Sequence, residues 1–201
     1  MISNMIITES LPAPEIDRAE VLRYASVRGA SPEADSLLNE CIDEAKGQLV
    51  YKVCYRVLDI SHLNEGIDLG FAVVNAPSVV KRLEECNKIM LFCATVGVGI
   101  DRLIAKYSLF SPARAVMMQA LGSERVEAVC DSLCSRIDNE VRSLGGSTTV
   151  RFSPGYGDIP LDLQRKIFDS LECTRRIGVS LGSNLFMTPT KSVTAIIGIK
   201  M

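Results

Sequence analysis

The sequence predicts an α+β protein with a central mixed or antiparallel twisted sheet flanked by helices, and three observations carry that prediction. The continuous apolar run KIMLFCATVG reads as a strand buried on both faces. In LVYKVCYRVLDI, Leu49, Tyr51, Val53, Tyr55 and Val57 fall on one side of an extended strand and Lys52 and Arg56 on the other. From about Ser111 to Val141, Val126, Val129, Leu133, Ile137 and Val141 form a core-facing stripe at helical spacing. Strands and helices alternate without a strict βαβ rhythm, which favours α+β over a doubly wound sheet.

The remaining elements follow from local signals. Residues 1–14 read as a loose amino-terminal segment, after which EIDRAEVLRYAS carries Ile16, Ala19 and Leu22 at helical spacing. A second helix opens with Ser31 as cap and Pro32 in its first turn, and Leu37, Leu38, Cys41, Ile42 and Ala45 recur along it. FAVVN is a short strand, and SVVKRLEECN after Pro77 a helix feeding the buried run. Gly97 and Gly99 turn the chain into IDRLIAKYSL; Gly122 is the place where the long helix would bend or break. Beyond Gly145 and Gly146 come a strand TTVRF, a stiff corner, one helix through DLQRKIFDSLECTRRI ended by Gly178, and a terminal strand SVTAIIGIK. Length and the absence of repeats predict one domain over residues 1–201.

Composition narrows the function classes. Apolar residues make up 47% and charged residues 23%, the average of globular chains. A net charge of −2 provides no basic footprint for phosphate backbones, which argues against nucleic acid. The seven cysteines form no CxxC pair and His62 is the sole histidine, a pattern that fits neither a zinc site nor an oriented nucleophile. An odd cysteine count, a short MISNMIITES start without Lys or Arg and no run near ~20 apolar residues predict a cytoplasmic chain with no membrane span.

Four local patterns invite chemistry. TVGVGID places glycines between a strand and a helix but lacks the third glycine of a dinucleotide fingerprint and the lysine of a P-loop. Cys130 and Cys134 stand i,i+4 on the long helix, as packing residues or as a redox or metal pair. Glu127 and Asp131 stand i,i+4 beside the apolar stripe, as solvated face or functional pair. The corner RFSPGYGDIPLD is the most informative. Arg151 leaves a strand there, Gly155 allows close approach of a planar ligand, and Tyr156 adds an aromatic face and a phenol. The guanidinium either forks onto a ligand carboxylate or closes an ion pair with Asp158.

The order RFSPGYGDIP, a helix, then LGSNLFMTPTKSV, together with ALGSERVEAV on the long helix, resembles the activation domain of cobalamin-dependent methionine synthase over residues 116–201. The resemblance implies that the chain binds S-adenosylmethionine and closes over a corrinoid whose cobalt has been oxidised to the inactive Co(II) state. One electron from a flavodoxin- or ferredoxin-like donor then permits capture of the methyl group as methylcobalamin. Carried over by motif, Arg151 would hold the methionyl carboxylate and Ser153 and Gly155 would present backbone. Tyr156 would stand at the ligand and corrin edge, and Glu127 would engage the methionyl amine.

The family's acidic contact near the start of the domain has no counterpart fixed by motif, Asp17 being the candidate, and Ser153 stands where the family has alanine. The chain ends soon after SVTAIIGIK, where longer members contribute another tyrosine. No folate, homocysteine or cobalamin module fits in 201 residues. The implied protein is therefore a stand-alone reactivation subunit serving a corrinoid-binding methyltransferase or truncated methionine synthase. The rival expectations are a docking subunit that caps a corrinoid protein without ligand, and a nucleotide-binding protein using Gly97 and Gly99.

Overall fold

The computed structural model describes residues 5–201. Its elements are β1 (Ile7–Ser10), α1 (Arg18–Tyr24), α2 (Pro32–Ala45), β2 (Lys52–Asp59), β3 (Ser61–His62), β4 (Ile67–Asp68) and β5 (Val73–Val74). There follow α3 (Pro77–Arg82), β6 (Lys88–Thr95), α4 (Gly99–Ser108), α5 (Pro112–Ser143), β7 (Ser147–Thr148), α6 (Leu163–Leu171), α7 (Cys173–Ile177), β8 (Ser180–Leu181), β9 (Met187–Thr188) and β10 (Ser192–Lys200). The main sheet runs β1-β2-β6-β10-β7, and every ladder in it is antiparallel. Of the two arrangements expected, the antiparallel one is realised. Helices α1, α2, α4 and α5 pack on one face of the sheet; α3, α6 and α7 pack on the other.

Side-chain alternation explains the layering. On β2, Val53, Tyr55 and Val57 point to the α5 face while Cys54 and Leu58 point to the α6 face. Strand β6 is covered on both faces, as its unbroken apolar run requires. Helix α5 buries Val126, Val129, Leu133, Ile137 and Val141 as one stripe.

Five expectations are corrected. Residues 7–10 are not loose. They form an edge strand, because Glu9 accepts hydrogen bonds from Tyr55 Oη (2.9 Å) and Arg136 Nη1 (2.6 Å) while Ile7 turns inward. Gly122 does not interrupt α5. A Cβ there would lie 2.9 Å from Ile100 Cγ1, so the glycine lets α4 pack closely against an unbroken helix. The helix expected through residues 162–177 is two, α6 and α7, separated at Glu172 (φ +51°). This left-handed residue keeps Leu171 and Cys173 buried on either side, and its carboxylate accepts from Arg175 (2.8 Å) and Arg176 (3.0 Å). The helix expected over SVVKRLEECN ends early, at Arg82. TTVRF is only partly strand: it yields β7 and then a single bridge from Phe152 to Ile196.

The last departure matters for function. Between the pairs Thr148–Ile199 and Phe152–Ile196, residues 149, 150 and 151 face only 197 and 198. The extra residue makes a bulge, with the Thr149 hydroxyl accepting from Gly198 N at 2.9 Å. The bulge restores Phe152 to the α6 face and sends Arg151 to the α5 face.

Candidate functional site

Arg151 leaves the bulge and lies against α5, where Nη2 donates to Glu127 Oε2 at 2.6 Å and to Asp131 Oδ1 at 2.9 Å. Its side chain is 24% exposed, so the charge is partly withdrawn from water. Burial opposes that charge. The hydrogen bond to Glu127 and the negative groups around it outweigh the opposition and hold the guanidinium above its ordinary pKa. Both carboxylates meet Nη2; Nε and Nη1 donate to no group among the described residues. The expected ion pair with Asp158 does not form. Asp158 instead accepts from the backbone N–H of Ser78 at 2.9 Å and from its hydroxyl, tying the corner to the start of α3.

The corner itself is a closed turn. Gly155 N donates to Ile159 O at 3.0 Å, and Ile159 N to Tyr156 O at 3.2 Å. Gly155 has φ +88°, and a Cβ there would stand 3.0 Å from Leu161 Cδ1. Gly155→Ala is therefore expected to lower stability by about 1–2 kcal/mol through left-handed backbone strain, measured as a shift of the urea midpoint at unchanged m-value.

A cavity of about 760 Å³ opens beside this turn. Of the residues singled out from the sequence, Glu127, Arg151, Ser153 and Tyr156 line it together; Gly155 does not line it and lies behind the lining, against Leu161. The opposite wall was not anticipated. The β8–β9 hairpin brings Leu185, Phe186 and Met187 to the cavity, and Arg165 Nη2 donates to Ser183 O (3.0 Å), fastening the hairpin to α6. Gln164 from α6, Thr190 just before β10, and Ser192 and Thr194 at the start of β10 also line it. The rim is apolar and open to solvent: Val150 is 78% exposed, Tyr156 75% and Phe186 73%.

A second recess of about 710 Å³ lies beside the first and is acidic, with Asp17, Glu20, Glu124 and Asp131 in its wall. Glu127 and Arg151 line both. Asp17 caps α1, accepting from Glu20 N at 3.0 Å, while its own N–H donates to Glu124 Oε1 at 3.0 Å. Glu124 is held by its neighbour Arg125, almost wholly buried, which also donates to Pro14 O and Glu15 O. The sequence reading gave Glu124 and Arg125 no role of their own, so this buried pair was not anticipated. It moors the segment before α1 to α5.

The other patterns have structural explanations. Gly99 stands so close to Gln48 that a Cβ would lie 2.0 Å from its carbonyl oxygen, and Gly97 has φ +80°; the pair serves packing and turning. Burial pushes the Cys130 thiol well up and that of Cys134 to about 11, so both are protonated packing groups at neutral pH. His62 lies exposed on β3, with Nε2 3.2 Å from Cys86 O. Among the described residues no helix is long and apolar enough to cross a membrane.

Three comparisons bear on this arrangement. The model of the family "vitamin B12 dependent methionine synthase, activation domain" matches residues 78–200, more than half of the chain. Among curated proteins, none matches this chain. Among solved structures, the chain is similar to the MetH reactivation domain bound to AdoHcy, with a TM-score of 0.71 and 18% identity over 96% of this chain and 78% of that one. At that identity the structural likeness speaks for the fold. The match over residues 78–200 spans α5, the bulge, the corner and β10, and by it the chain belongs to the vitamin B12 dependent methionine synthase activation domain family.

Proposed function

We propose that the chain binds S-adenosylmethionine in the cavity beside the 151–162 corner and supports reductive methylation of the oxidised corrinoid of a cobalamin-dependent methionine synthase or related methyltransferase. In this reading the corrinoid is carried by a partner protein, a flavodoxin- or ferredoxin-like protein donates the electron, and the chain works as a stand-alone subunit in the cytoplasm. One observation carries the proposal: a single cavity holds a guanidinium with spare donors beside a carboxylate, that of Glu127, with a spare oxygen. That arrangement complements an amino-acid head group, whose carboxylate needs forked N–H donors and whose ammonium needs a carboxylate. Arg151 Nε and Nη1 would take the ligand carboxylate, and Glu127, already anchored by Nη2, would accept from the ammonium.

The rest of the cavity suits the rest of such a ligand. Ser153 would present backbone and Gly155 holds the turn in shape from outside the lining, while Tyr156 and Phe186 give apolar faces. The same exposed residues form a rim on which a flat, largely apolar partner surface can rest. Once reduced by one electron, the partner's corrinoid supplies the nucleophile that takes the methyl group from the sulfonium, leaving S-adenosylhomocysteine. The chain's contribution is to hold the sulfonium ligand at this rim and keep its head group fixed.

The test mixes the purified chain with a Co(II) corrinoid methyltransferase, S-adenosylmethionine and a one-electron reductant, and follows the cobalt spectrum. Conversion of Co(II) to the methylated form that requires the chain and all other components is the expected result. Stable association with the corrinoid protein while Co(II) persists would instead establish a docking subunit.

A further inference from the structure

We infer that Gln164 reads the edge of the adenine ring of the S-adenosyl ligand, an inference that rests on the reading just proposed. The α6 residues Gln164, Ile167, Phe168 and Leu171 follow the i, i+3, i+4, i+7 spacing of a core stripe, and all four are buried. The first position of that stripe is a carboxamide instead of an aliphatic group. Gln164 is only 4% exposed, yet its carboxamide makes no hydrogen bond within the protein among the described residues. Both amide atoms stay accessible from the cavity and are not committed to the protein, so they are open to a partner that enters it. The carboxamide lines the cavity, so a ligand can satisfy it.

The surroundings indicate which part of the ligand. Gln164 N donates to Leu161 O at 3.0 Å on the corner side, and the next residue, Arg165, reaches the hairpin that carries Phe186. Gln164 thus sits between the corner and an exposed aromatic ring, where a flat heterocycle can lie with its face on Phe186. A carboxamide offers a donor and an acceptor side by side. Adenine offers the complement on one edge, its 6-amino donor beside a ring-nitrogen acceptor, the same pairing by which Gln recognises adenine in nucleic acids. The charged end of the ligand is already accounted for by Arg151 and Glu127.

The test is calorimetry with S-adenosylhomocysteine and with its purine analogue lacking the 6-amino group, on the wild-type chain, Gln164→Leu and Gln164→Glu. The wild type is expected to prefer the 6-amino ligand by about 5- to 150-fold. In Gln164→Leu that preference falls to unity or reverses, while the free variant unfolds near the wild-type temperature. Gln164→Glu, of equal size but without the donor, also binds S-adenosylhomocysteine more weakly. Two results would overturn the inference with the parent reading intact: a Gln164→Leu chain that keeps the wild-type preference, or one that loses both ligands equally and is itself destabilised. A wild-type chain that takes up no S-adenosylhomocysteine overturns the parent reading and this one with it.

Discussion

Arg125→Leu is expected to destabilise the protein by about 3–5 kcal/mol, the scale for removing one partner of a buried ion pair. The substitution leaves Glu124 nearly inaccessible to water and without its guanidinium, and deprives Pro14 O and Glu15 O of their donor. Three elements depend on that one side chain: α5, the segment before α1, and the N-terminus of α1, whose capping residue Asp17 donates its N–H to the same carboxylate. For a chain of this length the loss corresponds to a drop in Tm of roughly 6–20 °C, read by thermal melting or urea titration. Removing both charges, in Glu124→Leu/Arg125→Leu, is expected to cost less than the sum of the single changes, because no charge is then stranded. A cost for Arg125→Leu below about 1 kcal/mol would show that the pair is solvated and that α1 is moored elsewhere.

Arg151→Ala is expected to weaken binding of S-adenosylmethionine by about 1.5–3 kcal/mol, the scale of a lost charged hydrogen bond, with little change in stability. The small stability effect follows from position: Glu127 and Asp131 are 37% and 68% exposed in their side chains and re-enter water when the guanidinium goes. Arg151→Lys is expected to recover only part of the affinity. An ammonium can stay paired with Glu127, but it lacks the planar fork that serves a carboxylate at the same time. Calorimetric titration beside a urea melt separates the two effects.

How much of this was legible in the sequence depended on how local the cause was. Strands β2, β6 and β10 and the α5 stripe declare themselves because burial on a fixed period leaves no other arrangement for those residues. Glu127, Arg151, Ser153 and Tyr156, named from resemblance and residue chemistry, lie on one cavity. What escaped was long-range. The β8–β9 hairpin has two-residue strands and no period to detect, so Phe186 and Met187 could not be assigned to the cavity. The bulge at 149–151 is visible only in the register against β10. Glu124 and Arg125 look like surface charges until the backbone carbonyls of Pro14 and Glu15 arrive from more than a hundred residues away. Gln164 carried a faint signal, a polar residue on an apolar stripe.

The central claim is that the bulged strand and rigid turn aim Arg151 at an amino-acid carboxylate. Its most direct measurement is the affinity of the wild type and Arg151→Ala for S-adenosylmethionine and for the decarboxylated ligand, which differ by that carboxylate alone. The wild type should favour the intact ligand by about 10- to 150-fold, and Arg151→Ala should bind the two alike. An alanine variant that retains the wild-type preference would contradict the account, because the carboxylate would then be held by some other group.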